Sequence, residues 1–169
     1  MFQIGDFVVS AGGGVCRIED VVQMEMPGIT AKKDCYLVIP IGENAAKKYI
    51  PVENKKKQIR PVMTREEAEQ LMSGFMEIEE TWIESDKLRE KTYKEAIFSS
   101  DPRRLVSILK TMYQRGQERQ AEGKKTTTID ERYLRIAEKN LHDELAFVLD
   151  ITTEDVRDTI IKKVKAGKK

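Results

Sequence analysis

The period of the hydrophobic pattern changes once along the chain, at Pro61, and that change limits what the chain can fold into. Up to residue 62 the apolar residues come in short runs, FVVS, VCRIEDVVQMEM, CYLVIPI and KKYIPV, rich in Val, Ile, Tyr and Phe. Branched and aromatic side chains suit a pleated, half-buried surface, so runs of this kind separated by turn formers predict antiparallel strands. Ala11-Gly12-Gly13-Gly14, Pro27-Gly28 and Gly42-Glu43-Asn44 supply the reversals between them. The expected product is a small antiparallel sheet or barrel. A glycine-rich loop also cradles phosphate in nucleotide-binding proteins, but that use needs a Lys-Ser/Thr pair opening a helix. Here Val15-Cys16-Arg17 continues a strand, so nucleotide binding is not expected.

Beyond Pro61 the signals are helical. Thr64-Arg65-Glu66-Glu67 has the spacing of a capping box, in which hydroxyl and carboxylate satisfy each other's orphan amides, and Gly74 marks the end of that helix. Ser85 is a candidate cap for a helix through about Phe98. Ser99-Ser100-Asp101-Pro102 then reads as a stop and restart, with Asp101 as cap and Pro102 at the first helical position. Leu105, Ile108, Leu109 and Met112 fall at i, i+3, i+4 and i+7, which predicts one buried stripe on a helix reaching about Gln120. Arg103, Arg104, Lys110, Arg115 and Arg119 fall largely outside that stripe. Ala121 to Thr128 reads as a polar loop. Asp130 then starts a helix whose stripe is Leu134, Ala137, Leu141, Leu145 and Val148, and Thr152 or Thr153 caps a last helix with a basic end, Lys162 to Lys169. The fold class is therefore α+β, divided into a sheet module over 1–62, a helical and acidic connector over 63–84, and a helical domain with a basic tail over 85–169.

Composition decides which functions to set aside. With 40% hydrophobic and 35% charged residues the chain is too apolar for wholesale disorder, and its cores should be thin. No apolar run approaches the roughly 18–20 residues that cross a bilayer, and the opening MFQIGDFVVS meets Asp6 before any long apolar stretch, unlike a signal peptide. A cytoplasmic protein without a membrane partner is expected. Cys16, Cys35 and the single His142 are too few for a zinc site, and two small, half-buried thiols on strands are expected instead. No metal and no cofactor are expected. The net charge of +1 hides a dipolar layout: Thr64 to Asp86 holds eight acidic residues against Arg65 alone, whereas Lys87 to Lys125 carries a net of +6. Such a chain should not coat nucleic acid indiscriminately, but its basic stretch could turn one face to phosphates, unless both stretches are simply solvated helix faces.

Catalysis is not expected. His142 has no Ser or Cys nearby that must be its nucleophile and reads as a solvated helix residue, and no carboxylate spacing singles out a general acid and base. Trp82, the single tryptophan, stands where the acidic stretch meets the basic one. Two readings stay open for it. It packs the two domains together, or it leans against a distorted base step in a minor groove while Lys and Arg neutralise phosphates.

Ile4-Gly5-Asp6-Phe7-Val8-Val9, Gly14-Val15-Cys16-Arg17-Ile18, Tyr36-Leu37-Val38-Ile39 and Tyr49-Ile50-Pro51-Val52-Glu53-Asn54 together resemble the amino-terminal module of the CarD and CdnL family of bacterial transcription regulators. That module is similar to the RNA-polymerase-interacting domain of transcription-repair coupling factor. Ser99-Ser100-Asp101, Leu109 to Arg119, Ala137-Glu138-Lys139-Asn140-Leu141 and Glu144-Leu145-Ala146 resemble the family's helical DNA-binding domain, so the likeness covers about residues 1–150 in order. The resemblance implies a Tudor-like β-barrel that docks on the β subunit of RNA polymerase and a helical domain that contacts promoter DNA, through its minor groove and with little base specificity, at the upstream edge of the melted region. It implies stabilisation of the open complex and no enzymatic activity.

On that resemblance the polymerase-binding residues are Met24, Glu25, Met26, Lys47, Lys48 and Tyr49, with Met24 and Tyr49 standing where other members often carry arginine. The DNA-binding residues are Trp82, Lys87, Arg89, Lys91, Lys124, Lys125 and Arg132. Counting back from Ser99-Ser100-Asp101, the family's tryptophan position falls on Asp86, and Trp82 is four residues earlier. The alternative function is an adaptor for polymerase or a repair translocase that never touches DNA. Oligomeric state is left open.

Overall fold

The computed structural model describes residues 1–11, 14–25, 27–28, 31–42, 46–53, 58–81, 83 and 85–166. The chain divides into two units, Met1–Val62 and Met63–Lys169. The first is a five-stranded antiparallel sheet of β1 (Phe7–Ser10), β2 (Gly14–Glu25), β3 (Lys32–Pro40), β4 (Lys48–Pro51) and β5 (Ile59–Pro61), in the order β4-β3-β2-β1-β5. Gly14 opens β2 at φ 76°, in the left-handed region that a side chain would resist. The register brings Val8 opposite Cys16, Ile18 opposite Val38 and Tyr36 opposite Ile50. These six, with Ile59, form a small apolar core. Burying a Val or Ile contributes about 1.5–3 kcal/mol. Phe2 closes over that core, its amide donating to the Tyr36 hydroxyl at 3.0 Å and its ring edge-on to the tyrosine at 6.0 Å.

The expected α+β class holds, with one correction: the sheet does not close into a barrel, although its arrangement is roughly Tudor-like. Closure would require the two end strands to pair. Here β4, of four residues, and β5, of three, lie at opposite ends of the strand order. The two thiols also sit deeper than expected. Cys16 on β2 and Cys35 on β3 are free and fully buried, and burial pushes the Cys16 thiol pKa up.

The second unit contains α1 (Arg65–Ser73), a 3₁₀ turn (Phe75–Glu77), α2 (Asp86–Ser99), α3 (Pro102–Ala121), α4 (Thr128–Leu149) and α5 (Thr153–Ala166). The local signals act as their chemistry requires. Thr64 Oγ1 accepts from the Glu67 amide at 3.1 Å and Gly74 ends α1. Ser85 Oγ accepts from Leu88, and an Asp101 carboxylate oxygen accepts from Arg103 with Pro102 in the first turn. Thr152 caps α5 by accepting from Asp155. The start of α4 is a correction: it lies at Thr128, with Thr127 accepting from the Asp130 amide at 3.1 Å, so Asp130 is inside the first turn.

Leu105, Ile108, Leu109 and Met112 are buried as one stripe, facing Ala137, Leu141 and Leu145 in a single core. Residues 63–84, read from the sequence as a connector, lend that core Met63, Ala68, Leu71, Phe75 and Ile78, with Ile83 packed against it. The Met63 amide donates to Glu144 Oε2 at 2.9 Å, tying the start of this unit to α4. His142 is a further correction. It is buried rather than solvated, its Nε2 has no hydrogen-bond partner among the described residues, and burial lowers its pKa. No described helix is long and apolar enough to cross a membrane.

Candidate functional site

In the sheet unit the candidate surface centres on β3. Met24 on β2 faces Lys33 and Tyr49 on β4 faces Leu37, so the segments around Met24 and Tyr49 do not pair with each other: β3 runs between them. Directly opposed residues share a face, and Lys33 and Leu37 are an even number of residues apart on one strand. Met24, Lys33, Leu37 and Tyr49 therefore occupy one face, opposite the Tyr36 and Val38 side that forms the core. Tyr49 is 48% exposed and Met24 and Leu37 are half-buried, which leaves a shallow apolar strip. Lys47 is exposed just before β4. Lys48 opposes Val38 on the core side, and its charge reaches Cys16. Glu25 is exposed opposite Lys32, and Met26 lies outside the described residues.

On this side of the sheet several stretches of backbone lack a second strand among the described residues. β4 ends the sheet, and β2 from Asp20 to Glu25 pairs only with β3, beyond the register shift between Ile18 and Asp20. Exposed strand edges of this kind are ready templates for an additional strand.

In the helical unit the positive charge gathers at the head of α2. Lys87 and Lys91 are exposed one turn apart. Arg89, two residues from each, turns inward. It is 8% exposed, and its Nη2 donates to Asp86 Oδ1 at 2.8 Å. That hydrogen bond and the guanidinium charge hold the Asp86 carboxyl below its ordinary pKa, with smaller contributions from Arg115 and Arg119. The carboxyl-terminal half of α3 thus faces this head. Arg119 Nε donates to the Lys125 carbonyl at 2.8 Å, which folds the loop before α4 against the same end. Lys124 and Lys125 are exposed there, Lys124 paired with Glu122 at 3.1 Å. Arg115 Nε donates to Asp130 Oδ2 at 3.1 Å, and the Tyr93 hydroxyl donates to Asp130 Oδ1 at 2.7 Å, which locks α2, α3 and α4 together beneath the cluster. Burial, with Asp130 beside it, pushes the Tyr93 phenol up to about 12.

Arg132 is exposed at the fifth position of α4, 5.4 Å from the centre of the Tyr133 ring. The Tyr133 hydroxyl donates to Glu90 at 2.8 Å, and that bond, with the charges of Lys94 and Arg132, lowers the Glu90 pKa. Arg132 therefore lies on the side of Glu90, three residues along α2 from Lys87. Trp82 lies outside the described residues. The sequence-based set is thus brought together in part. Lys87, Lys124 and Lys125 converge at one end, Lys91 and Arg132 extend it, and Arg89 is committed to Asp86.

Arg115 and Arg119 were missed as members of this set. Their spacing of four residues, off the apolar stripe of α3 and directly before the basic loop, is the sequence signal that identifies them. Among the described residues no three His, Cys, Asp or Glu side chains are placed to hold a metal ion.

Comparison with known proteins adds one match. Residues 2–63 fit the family model of the CarD-like/TRCF RID domain, a span that nearly coincides with the sheet unit. No curated protein matches the chain significantly. The five-stranded sheet unit thus carries a CarD-like/TRCF RID domain, an RNA-polymerase-interacting module, ahead of a helical unit that the match does not reach.

Proposed function

We propose that this protein is a CarD-like transcription regulator that holds the β subunit of RNA polymerase with its sheet unit and promoter DNA with its helical unit, near the upstream edge of the melted region. Its effect is to stabilise the open complex. The observation that carries the reading is the gathering of the α2 head, with Lys87, and of Arg119 and the Lys124-Lys125 loop at one end of a helical unit whose companion is a polymerase-interacting domain.

The proposed division of labour follows from the two surfaces. The edge at β4 offers backbone groups and the Met24, Leu37 and Tyr49 strip offers apolar contact, so binding survives without the arginines common at two of these positions. Lys47 and Lys48 add charge at that edge. On DNA, Lys87, Lys91, Lys124, Lys125 and Arg132, joined by Arg119, neutralise phosphates and read groove shape rather than base identity, while Arg115 stays committed to Asp130. Arg89 orders the α2 head through Asp86. A small set of phosphate contacts gives weak, salt-sensitive affinity for free duplex. Anchoring on polymerase compensates by raising the local concentration of the helical unit at one DNA position. A contact about 1.4 kcal/mol better with the melted form moves the opening equilibrium tenfold. The protein acts without catalysis or cofactor, in the cytoplasm.

The test is fluorescence anisotropy on a labelled promoter duplex carrying an upstream fork, with a parallel promoter-opening assay using purified polymerase. Lys87→Glu combined with Lys91→Glu should weaken DNA binding and reduce opening. Binding and opening unchanged by that pair would leave the adaptor reading. In the opening assay Trp82→Ala and Asp86→Trp separate the two readings of the tryptophan. Loss on the first supports a wedge displaced by four residues, and gain on the second supports a vacant position at 86.

A further inference from the structure

We infer that Ser107, Lys110 and Thr111 are positioning residues: a clamp on one face of α3 that fixes the chain leading into the DNA-contacting head of α2. The inference rests on the proposed function. These three side chains stand at i, i+3 and i+4, one patch of helix surface, and all are turned onto residues 76–81, from the 3₁₀ turn to Thr81. The Lys110 ammonium donates to the carbonyls of Met76 at 3.0 Å and Ile78 at 2.5 Å and pairs with Glu80 at 3.8 Å. Ser107 Oγ lies 2.7 Å from the Glu79 carbonyl and 2.6 Å from Thr81 Oγ1. Thr111 Oγ1 accepts from the Thr81 amide at 2.8 Å and lies 3.1 Å from the Thr81 carbonyl. The carbonyls of Met76, Ile78 and Glu79 and the amide of Thr81 are thus all held by one helix.

The chemistry is costly for mere space filling. Lys110 is 7% exposed, and an ammonium removed from water needs all its protons satisfied. A methionine would fill similar volume without that demand, so a buried lysine is the residue to expect where the register of a loop matters more than stability. The segment has few other anchors. Glu77, Glu79 and Glu80 are exposed, and only Ile78 is buried between the 3₁₀ turn and Thr81. Four residues after Thr81 stands Ser85, the cap of α2, followed by Asp86 and Lys87. Whatever holds Thr81 therefore limits where the head of α2 is entered.

The single tryptophan, Trp82, follows Thr81 directly and serves as a spectroscopic reporter in the full-length protein. Thr111→Val keeps the side-chain shape and removes the hydroxyl; Thr111→Ser keeps the hydroxyl. Iodide quenching and fluorescence anisotropy of Trp82 are measured in the free protein, and promoter opening with purified polymerase. Thr111→Val should raise quenching and local mobility and weaken promoter opening about twofold to tenfold, the factor carried by one lost hydrogen bond. Thr111→Ser should stay near wild type in both. Lys110→Met should act in the same direction and more strongly if it folds; Thr111→Val decides the matter if it does not. Unchanged quenching in Thr111→Val overturns the clamp, and altered quenching with wild-type opening overturns its role in positioning. A wild-type protein that does not promote opening would instead sink the proposed function, while the quenching comparison, which needs neither DNA nor polymerase, still decides whether the clamp holds the segment.

Discussion

Among the described residues Ser10 is the buried polar side chain of the sheet unit, whereas the helical unit buries Arg89, Ser100, Lys110, Thr111, Asp130, His142 and Glu144. The difference follows from how each architecture satisfies its backbone. In a sheet the ladder consumes amides and carbonyls strand by strand, so the seven-residue core of this unit is built from aliphatic side chains, Cys16 and Tyr36, whose hydroxyl meets the Phe2 amide. Helices joined by irregular segments leave free backbone groups at every junction, and side chains must reach them. Glu144 does so for the Met63 amide and Lys110 for the Met76 and Ile78 carbonyls. Among the described residues, one unit therefore leaves β4 and the Asp20–Glu25 stretch of β2 without a second strand, and the other spends buried polarity on fixing where its own segments lie.

The largest effect that separates the two should come from Asp130→Ala. The carboxylate is 2% exposed and accepts from both Tyr93 and Arg115, so its removal leaves a buried phenol and a partly buried guanidinium without their acceptor. Breaking a buried charged pair from one side costs about 3–5 kcal/mol. Urea denaturation followed by helical circular dichroism measures it; a loss under about 1 kcal/mol, the level of a surface ion pair, would break the comparison.

His142 gives the next effect, and its sign is fixed by linkage. Burial lowers its folded pKa, Arg157 on α5 adds to the lowering, and Glu138 and Asp143 on α4 oppose it. The unfolded chain takes up the proton near the ordinary 6.5, so the stability present above that pH is lost as pH falls from there toward the folded value. For a single proton the slope is bounded at about 1.4 kcal/mol per pH unit. Urea midpoints at pH 7.5 and 5.5 should fall for the wild type, and fall less for His142→Leu. Equal falls in both proteins would remove His142 as the cause.

In the sheet unit, where packing is the whole of the core, Ile18→Val should cost about 0.5–1.5 kcal/mol, the ordinary penalty for one buried methylene. Ile18 is fully buried opposite Val38. Thermal unfolding monitored through the sheet signal measures the change. A cost above about 2 kcal/mol would mean that this core is packed as tightly as the helical one and would blur the contrast.

How far the sequence revealed these features depended on how local their causes are. Thr64, Ser85 and Asp101 cap helices through bonds to amides two or three residues away, and the α3 stripe follows from spacing alone, so both are legible in the chain. Asp130 looked like the start of α4 because it follows the polar loop and opens the apolar stripe. The helix is capped by Thr127 and begins earlier, and Asp130 is drawn inward by Tyr93 and Arg115, residues 37 and 15 positions away. Lys110, Arg89 and His142 read as surface residues for the same reason: what buries them is a neighbouring element that spacing does not name. The sheet was legible as strands, yet whether its ends meet is a property of all five together. Of the candidate DNA-contacting residues, Lys87 and Lys91 were legible as a one-turn pair, whereas the approach of Arg119 to Lys125 depended on how the loop folds back.

The smallest effect is expected from the exposed ion pair with the shortest distance among the described residues of this unit. Lys139 Nζ lies 2.6 Å from Asp143 Oδ2 on α4, closer than Arg115 is to Asp130, yet the lysine side chain is 72% exposed. If distance set the strength of an ion pair, Lys139→Ala would rival Asp130→Ala. In water the Coulomb gain is screened and is offset by the entropy of holding a long side chain, so an i,i+4 helix pair contributes about 0.3–0.5 kcal/mol. Lys139→Ala should therefore move the urea midpoint barely beyond error, and raising the salt concentration should shrink even that shift. A loss near that of Asp130→Ala would show that burial is not what distinguishes the polar groups of the helical unit, and the contrast with the sheet unit would have to be drawn on some other ground.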